Sequence, residues 1–295
     1  MNPFAVRFVS CAAPPVPDLD TPIIADALVA AGHRVDVADW RDESVDWSTA
    51  GVTVLRSPWD YVHHIGEFLA WAARVNEVTA LWNPFELLRW NTHKSYLLEL
   101  HAQGAPVVPT VLLVAGSAAS LDGISDAQGW NAVVVKPAIA SGGDGARRGE
   151  VGDGALQAHL DALLATSDVL VQPYAPAVED EGEISVVLFD GRFSHALRKR
   201  PAVGDYRVQE HHGGTTELVD ASPGIVELAE RVCGVLPTPT LYARIDLISL
   251  HGRWHVIEAE VTEPSLWLDL APPSATRHLA DALEIRVSRG RGSQG

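Results

Sequence analysis

Lysine is nearly missing from this chain: its 295 residues carry three, Lys94, Lys136 and Lys199, against 38 acidic side chains, and the formal net charge is −16. That balance argues against nucleic acid or an anionic membrane as the main partner, because both bind through a basic face. Cysteine is as scarce. Cys11 and Cys233 lie far apart in apolar settings, which fits free core thiols in a reducing cytoplasm better than a disulfide or a metal pair. No apolar run reaches the length of a membrane span, and no basic region followed by an apolar signal core opens the sequence, so a cytoplasmic chain is expected. What is present is ample apolar material. Hydrophobic residues make up 47% of the chain, enough for two or three compact units with real cores.

The first of these units reads as alternating elements. Ala5 to Ser10 is a strand, Ile23, Ile24, Ala27, Leu28 and Ala31 recur at helical spacing behind a start capped by Asp20 or Thr21, and Gly32 ends that helix. Strands Arg34 to Val37 and Gly51 to Leu55 follow, so a parallel sheet is expected. Further on come helix Ile65 to Val75, strand end Ala80 to Asn83 and helix Thr92 to Gln103. A second unit reads as strand Ala132 to Lys136, loop Pro137 to Arg148, helix Ala155 to Leu164 and strand Val169 to Gln172. The third opens on a hairpin, Ile184 to Phe189 and Arg192 to Arg198 around Asp190-Gly191, and continues with helix Pro223 to Val235. The expected domains are 1–103, 104–176 and 177–287, with a disordered polar tail over 288–295.

Chemistry concentrates near the end of the third unit. Ile257-Glu258-Ala259-Glu260 lies twelve residues after Arg244-Ile245-Asp246, with Leu250-His251-Gly252-Arg253 as the turn between them. Alternate residues of a strand share a face, so Asp246, Glu258 and Glu260 converge. Three carboxylates so close resist ionisation unless a hard cation neutralises them, and magnesium carrying a nucleotide phosphate is the natural candidate. The competing reading is a solvated hairpin edge.

Lys136 closes an apolar strand ahead of Ala140-Ser141-Gly142-Gly143-Asp144-Gly145. Ser141, Gly142 and Gly143 could bring backbone N–H groups to phosphate oxygens beside the lysine, although a plain flexible turn also explains the loop. It is not a Walker loop, which needs Gly-Lys-Ser/Thr at its end. Gln172, Pro173 and Tyr174 at the next strand end could hold a purine through backbone groups, with Glu183 on the ribose; each is otherwise an ordinary strand end. Arg56, Trp59, Asp60 and Tyr61 follow a parallel strand, where open α/β sheets gather ligand-binding residues. Trp59 and Tyr61 are alternatively interface aromatics, and Arg207 is either a clamp on an anion or a solvated loop charge.

In this order the pieces resemble the ATP-grasp superfamily, from near residue 50 to near 268. Bacterial glutathione synthetases are similar also in the first domain, at Arg56-Ser57-Pro58-Trp59-Asp60 and Trp82-Asn83-Pro84. A narrower resemblance, to the ATP-grasp ligases of the D-cycloserine pathway and their relatives, rests on Arg56 to Tyr61, Leu81 to Pro84, Arg89 to Asn91 and Glu258 to Leu266. The resemblance implies an α/β fold with an N-terminal parallel-sheet domain and two α+β subdomains that clamp ATP. It implies Lys94 and Lys136 on the ATP phosphates, Lys199, Arg207 and Arg244 as catalytic cations, and a pair of magnesium ions on Asp246, Glu258 and Glu260. It also implies a substrate site that includes Ser265, an amino acid as substrate and a possible homodimer. Glu260 departs from the superfamily pattern, where asparagine is common.

The activity so implied is transfer of the ATP γ-phosphoryl to a carboxylate, giving an acyl phosphate that a nitrogen attacks. Arg244 would stabilise the oxyanion. Three functions fit: ring closure within one molecule such as O-ureido-D-serine, giving D-cycloserine in antibiotic biosynthesis; joining of a carboxylate to a separate amine; and nucleotide binding without catalysis. The complete acidic set with Arg244 disfavours the third. An acyl phosphate route must yield ADP and phosphate in step with product, and chromatography of the spent nucleotide should show no AMP.

Overall fold

A computed structural model describes residues 4–292. The first unit is a four-stranded parallel sheet of order β2-β1-β3-β4, built from β1 (Phe4–Ser10), β2 (Val35–Asp39), β3 (Ala50–Ser57) and β4 (Ala80–Trp82). Its crossovers are α1 (Asp20–Ala30) and α2 (Ile65–Val78), and burial of β3 on both faces follows from helices covering the sheet. The sequence reading of a parallel α/β opening holds. Its cap does not: Asp18, not Asp20 or Thr21, accepts the N–H groups of Asp20 and Thr21 at 3.1 and 3.0 Å. That leaves Asp20 for a different task, described below.

The helix expected over 92–103 starts later, as α4 (Tyr96–Ala102), and a separate short helix, α3 (Phe85–Asn91), precedes it. Lys94 sits in the turn between them because its N–H leaves the helical ladder and donates to Ala138 O of the second unit at 2.8 Å.

The second unit is a four-stranded antiparallel sheet, β5-β8-β6-β7. Its elements are β5 (Val111–Leu113), α5 (Leu121–Gln128), β6 (Ala132–Pro137), β7 (Arg147–Glu150), α6 (Gly154–Leu164) and β8 (Val169–Pro173). Part of the loop expected over 137–148 is thus an edge strand, whose charged sequence Arg147-Arg148-Gly149-Glu150 carries no apolar alternation to betray it.

The third unit holds a five-stranded antiparallel sheet, β11-β10-β9-β12-β13. Its elements are α7 (Ala177–Asp180), β9 (Glu183–Phe189), β10 (Arg192–Arg200), β11 (Thr215–Val219), α8 (Pro223–Gly234), β12 (Tyr242–Leu250), β13 (Arg253–Glu260) and α9 (Pro273–Gly292). The expected tail is helical as far as Gly292, since α9 continues past residue 288; residues 293–295 lie outside the described residues. Apolar residues of α9, Leu279 and Leu283, share one core with Phe8 and Leu28 of the first unit and Phe189 of the third.

Two buried asparagines tie the first unit to the β12–β13 hairpin. Asn83 donates to Tyr242 O and Val261 O at 2.9 and 2.6 Å and accepts from Leu241 N at 2.7 Å. Asn91 donates to Ala259 O at 2.6 Å and accepts from Val261 N and from Thr262 Oγ1. Each fills the backbone valences that a strand end would otherwise leave unpaired. Removing Asn83 strands buried peptide groups, so Asn83→Ala should lower the unfolding free energy by about 2–4 kcal/mol in urea titrations, while Val203→Ala on the exposed β10–β11 loop should change it by less than about 0.5 kcal/mol.

Candidate active site

The β12–β13 hairpin sets the geometry. His251 and Gly252 take φ of 52° and 71°, the positive pair that a tight two-residue hairpin turn requires. The register then pairs Asp246 with Glu258 and Arg244 with Glu260. Ala243, Ile245 and Leu247 enter the core against α8, so Arg244 and Asp246 face the opposite way, into a cavity of about 1190 Å³.

Within the cavity the carboxylates meet cations of the protein itself. Arg244 Nε donates to Asp246 Oδ1 at 2.9 Å and its Nη2 to Oδ2 at 3.0 Å, and the same guanidinium pairs with Glu260. Lys199 pairs with Glu183 and lies 3.3 Å from Asp246 Oδ2. Lys94 lies 2.9 Å from Glu258 Oε1 and donates to Ala140 O at 2.7 Å. Burial alone would raise the Asp246 carboxyl, but Arg244 and then Lys199 outweigh it and hold it well below the usual range. Glu258 is likewise lowered against its burial by Lys94 and Lys136. Glu260 goes the other way: burial lifts it well above an ordinary carboxylate, Arg244 opposes, and the neighbouring Glu263 lifts it further. Burial raises Glu183 too, opposed by Lys199.

Lys136 differs from the other lysines. No ion pair joins it among the described residues, and burial, partly offset by Glu258 and reinforced by Lys94, lowers its ammonium from 10.5 to about 8. It is a cation held ready for an anion. The glycine loop lies beside it, with Gly142 and Gly143 at φ of 61° and 76°. Across the cavity this loop touches the β10–β11 loop: a Cβ on Gly143 would come 3.1 Å from Gln209 Oε1, and Tyr206 donates its hydroxyl to Ala146 O at 2.9 Å.

Lys94, Lys136, Ser141, Gly142, Gly143, Gln172, Pro173, Tyr174, Glu183, Lys199, Arg207, Arg244, Asp246, Glu258, Glu260, Ser265, Trp59 and Tyr61 all line this one cavity. Arg56 and Asp60 do not. Arg56 is 1% exposed, donates through Nη2 to Asp20 Oδ2 and Pro264 O at 3.2 and 2.9 Å and lies over the Tyr242 ring, so it braces the segment after β13, with its Nε and Nη1 buried and without a partner among the described residues. Asp60 accepts from Trp40 Nε1 at 2.7 Å. Of the backbone groups of Gln172, Pro173 and Tyr174 expected to hold a purine, the Tyr174 N–H is already taken, since it donates to Ala132 O at 2.9 Å. Arg207 is turned onto Asp205, at 2.8 and 3.2 Å, although it borders the cavity.

Sequence reasoning missed Asp20 and Glu263. Asp20 accepts from Leu266 N and Leu268 N at 2.7 and 2.8 Å and from Arg56, which fixes the chain beyond Glu263. Its partners are about 246 residues away in sequence, beyond any local signal.

The donor set suits a hard cation, since Asp246, Glu258 and Glu260 offer only carboxylate oxygens. Glu258 and Glu260 each meet a cation through one oxygen, Oε1 and Oε2 respectively. Asp246 is saturated, accepting from Ser185, Lys199 and Arg244, so it would have to release one of them to bind metal. Among the described residues no group of three donors stands preassembled for a metal ion.

Comparison with known proteins shows the family. Residues 6–83 match the family described as D-cycloserine synthetase DcsG, N-terminal domain, and residues 100–270 match prokaryotic glutathione synthetase, ATP-grasp domain. The chain belongs to the ATP-grasp ligases of this glutathione synthetase type. It is 34% identical, over 92% of its length and 94% of the relative's, to the cycloserine biosynthesis protein DcsG of Streptomyces lavendulae. The crystal structure of D-cycloserine synthetase DcsG superposes with a TM-score of 0.88 at 32% identity, covering 96% of this chain and 99% of that one. D-alanine–D-alanine ligase from Bacillus anthracis shares the fold at a TM-score of 0.71 and 14% identity, covering 99% and 100% of the two chains. The protein is an ATP-dependent carbon–nitrogen ligase. ATP-grasp ligases use ATP with Mg²⁺ and act on small-molecule substrates. Among the described residues no helix is long and apolar enough to cross a membrane.

A lysine lowered to about 8 is mostly charged below that pH and mostly neutral above it. Its folded value lies below the unfolded one, so Lys136 lowers stability below pH 8, and that cost lifts as pH rises from 8 towards 10.5. A phosphate beside it restores the charge. ATP binding at pH 9 should therefore take up about one proton, seen by calorimetry in two buffers of different ionisation enthalpy. At pH 6.5 the uptake should vanish, and Lys136→Met should abolish it at pH 9.

Proposed function

We propose that this ligase activates the carboxylate of an amino acid as an acyl phosphate and closes it onto a nitrogen of the same molecule, converting O-ureido-D-serine to D-cycloserine. The observation that carries this reading is the near full-length likeness to DcsG, which includes the first domain as well as the ATP-binding part. In this reading residues 104–176 and 177–287 form the clamp on ATP, and 1–103 supplies part of the substrate wall.

The roles follow from the cavity. Lys136, unpaired, and Lys94, which bridges Glu258 and the backbone of the glycine loop, would sit on the phosphates. Glu258, Glu260 and Asp246 would hold Mg²⁺, which when bound neutralises charge between phosphate oxygens. Arg244 holds two carboxylates and donates towards Ser265 O at 3.4 Å; it would meet the developing oxyanion as the nitrogen attacks. The backbone N–H of Ala175, the next donor after the spent Tyr174 N–H, would serve the adenine edge. In the chemical step the carboxylate oxygen takes the γ-phosphoryl. The substrate nitrogen, giving up its proton, then bonds to the carbonyl carbon, the carbon–oxygen bond to phosphate breaks, and phosphate departs; water attacks the carbamoyl carbon on that nitrogen, the nitrogen–carbamoyl bond breaks, and the carbamic acid released falls apart to CO2 and NH3, which leaves D-cycloserine. Holding both ends of the reaction in one molecule replaces a second encounter with effective molarity.

Mass spectrometry after incubation with ATP, Mg²⁺ and O-ureido-D-serine tests the reaction. Formation of D-cycloserine without any added amine is the expected result; a product that appears only when a second amine is supplied would establish the intermolecular ligase instead. Glu258→Gln should lower kcat on the order of 10²- to 10³-fold with the circular dichroism spectrum unchanged. Glu260→Asn should raise the half-saturating magnesium concentration more than it lowers kcat, because it removes one negative charge near the metal; superimposable magnesium curves would remove Glu260 from the metal site.

A further inference from the structure

One buried acid at the cavity wall has no role in the scheme above. Glu263 is 2% exposed, and its Oε2 is buried with no hydrogen-bond partner among the described residues. Its backbone is pinned, since Trp59 Nε1 donates to Glu263 O at 3.2 Å. The Tyr61 phenol reaches its carboxyl from one side, and the Glu260 carboxyl lies beside it. A buried carboxylate oxygen without a donor is costly, more so next to a second carboxylate. Such a group is retained where something else supplies the donor.

The rest of that cavity end says what the donor is. Glu263 shares the wall with Asp18, Asp20, Asp269 and Glu260. Asp18 and Asp20 are already satisfied by backbone and side-chain donors, Glu260 is paired with Arg244 and Asp269 is exposed, which leaves Glu263 as the acid with a buried oxygen that no donor among the described residues meets. Trp59 and Tyr61 stand against Glu263, and aromatic faces attract a desolvated cation; the face of Trp267 is already taken by Lys199 and Arg244. Lys94 and Lys199 are paired with Glu258, Glu183 and Asp246, not with Glu263. An amino acid is polar in the same sense: its carboxylate is drawn to the lysines and arginine, and its ammonium, with three N–H donors, to the acids.

We propose that Glu263 is the residue that binds the α-ammonium group of the amino-acid substrate, with Tyr61 and Trp59 holding it in place, so that the ligase selects zwitterionic amino acids over the corresponding desamino acids. This assignment rests on the amino-acid substrate proposed above and adds the group that recognises it.

The test is steady-state kinetics of ADP release by the full-length enzyme with O-ureido-D-serine and with its desamino analogue, 3-(ureidooxy)propanoate. Wild type should favour the amino acid. Glu263→Gln, which keeps shape and hydrogen bonding but loses the charge, should raise the KM for the amino acid about 10- to 100-fold, leave the KM for ATP within about twofold and erase the preference over the desamino analogue. Glu263→Asp should recover part of the lost affinity, and thermal unfolding of both variants separates a folding defect from a binding one. An unchanged amino-acid KM in Glu263→Gln, or a rise in half-saturating magnesium with the amino-acid KM intact, would overturn the assignment. Should wild type not turn over O-ureido-D-serine, the cyclo-ligase reading fails by itself. Calorimetry on enzyme loaded with Mg²⁺ and a non-hydrolysable ATP analogue then decides the ammonium site, with D-serine and L-serine against D-glycerate and L-glycerate: serine preferred in wild type and not in Glu263→Gln supports it, and any other pattern overturns it.

Discussion

The site depends on the ion-paired face of the β12–β13 hairpin, where Arg244 holds Asp246 and Glu260 while Lys199 and Lys94 hold Asp246 and Glu258. Repulsion among acids packed this closely would otherwise keep Asp246 and Glu258 from ionising together, and Glu260 stays raised even beside Arg244. Breaking such a buried set by removing one partner is far more damaging than its net contribution to stability suggests. The same cations are the ones an incoming nucleotide and substrate would need. The protein thus stores its positive charge on its own carboxylates until anionic ligands arrive, and an overall net charge of −16 is compatible with an anion-binding cavity because the few lysines all converge on it.

Such a face is useful only if it is held still relative to the first unit. Asn83, just before α3, and Asn91, its last residue, do this through backbone groups of Leu241, Tyr242, Ala259 and Val261. Tyr242 adds a third tie, donating its hydroxyl to Leu55 O at 2.6 Å, and Arg56 with Asp20 braces the stretch after Glu263. The first unit therefore shapes the substrate end of the cavity mainly by positioning the residues that follow β13.

Much of this was legible in the sequence, for physical reasons. Period-two alternation around a His-Gly turn specified the hairpin and which acids share a face, and apolar runs specified the parallel sheet. Convergence of Lys94, Lys136 and Lys199 followed from the family resemblance, not from spacing. The rest depended on distant partners. Arg56 lies outside the cavity lining with its Nη2 on Asp20, the Tyr174 N–H is spent on Ala132, and the helix expected from residue 92 starts only at Tyr96, the Lys94 N–H having found Ala138. The charged run of β7 gave no alternation to read. Glu263 was visible as a letter in Glu258-Ala259-Glu260-Val261-Thr262-Glu263, yet only burial of its oxygen distinguishes it from a surface acid.

On this account protein cations, not metal, neutralise Asp246 and Glu258 before nucleotide arrives. Calorimetric titration of Mg²⁺ into the nucleotide-free enzyme, and again into enzyme saturated with a non-hydrolysable ATP analogue, tests it most directly. The account predicts no measurable magnesium binding up to millimolar concentration without nucleotide and clear binding with it, because the arginine and lysines must first be drawn to the phosphates. Tight magnesium binding to the nucleotide-free enzyme, lost in Glu258→Gln, would contradict it.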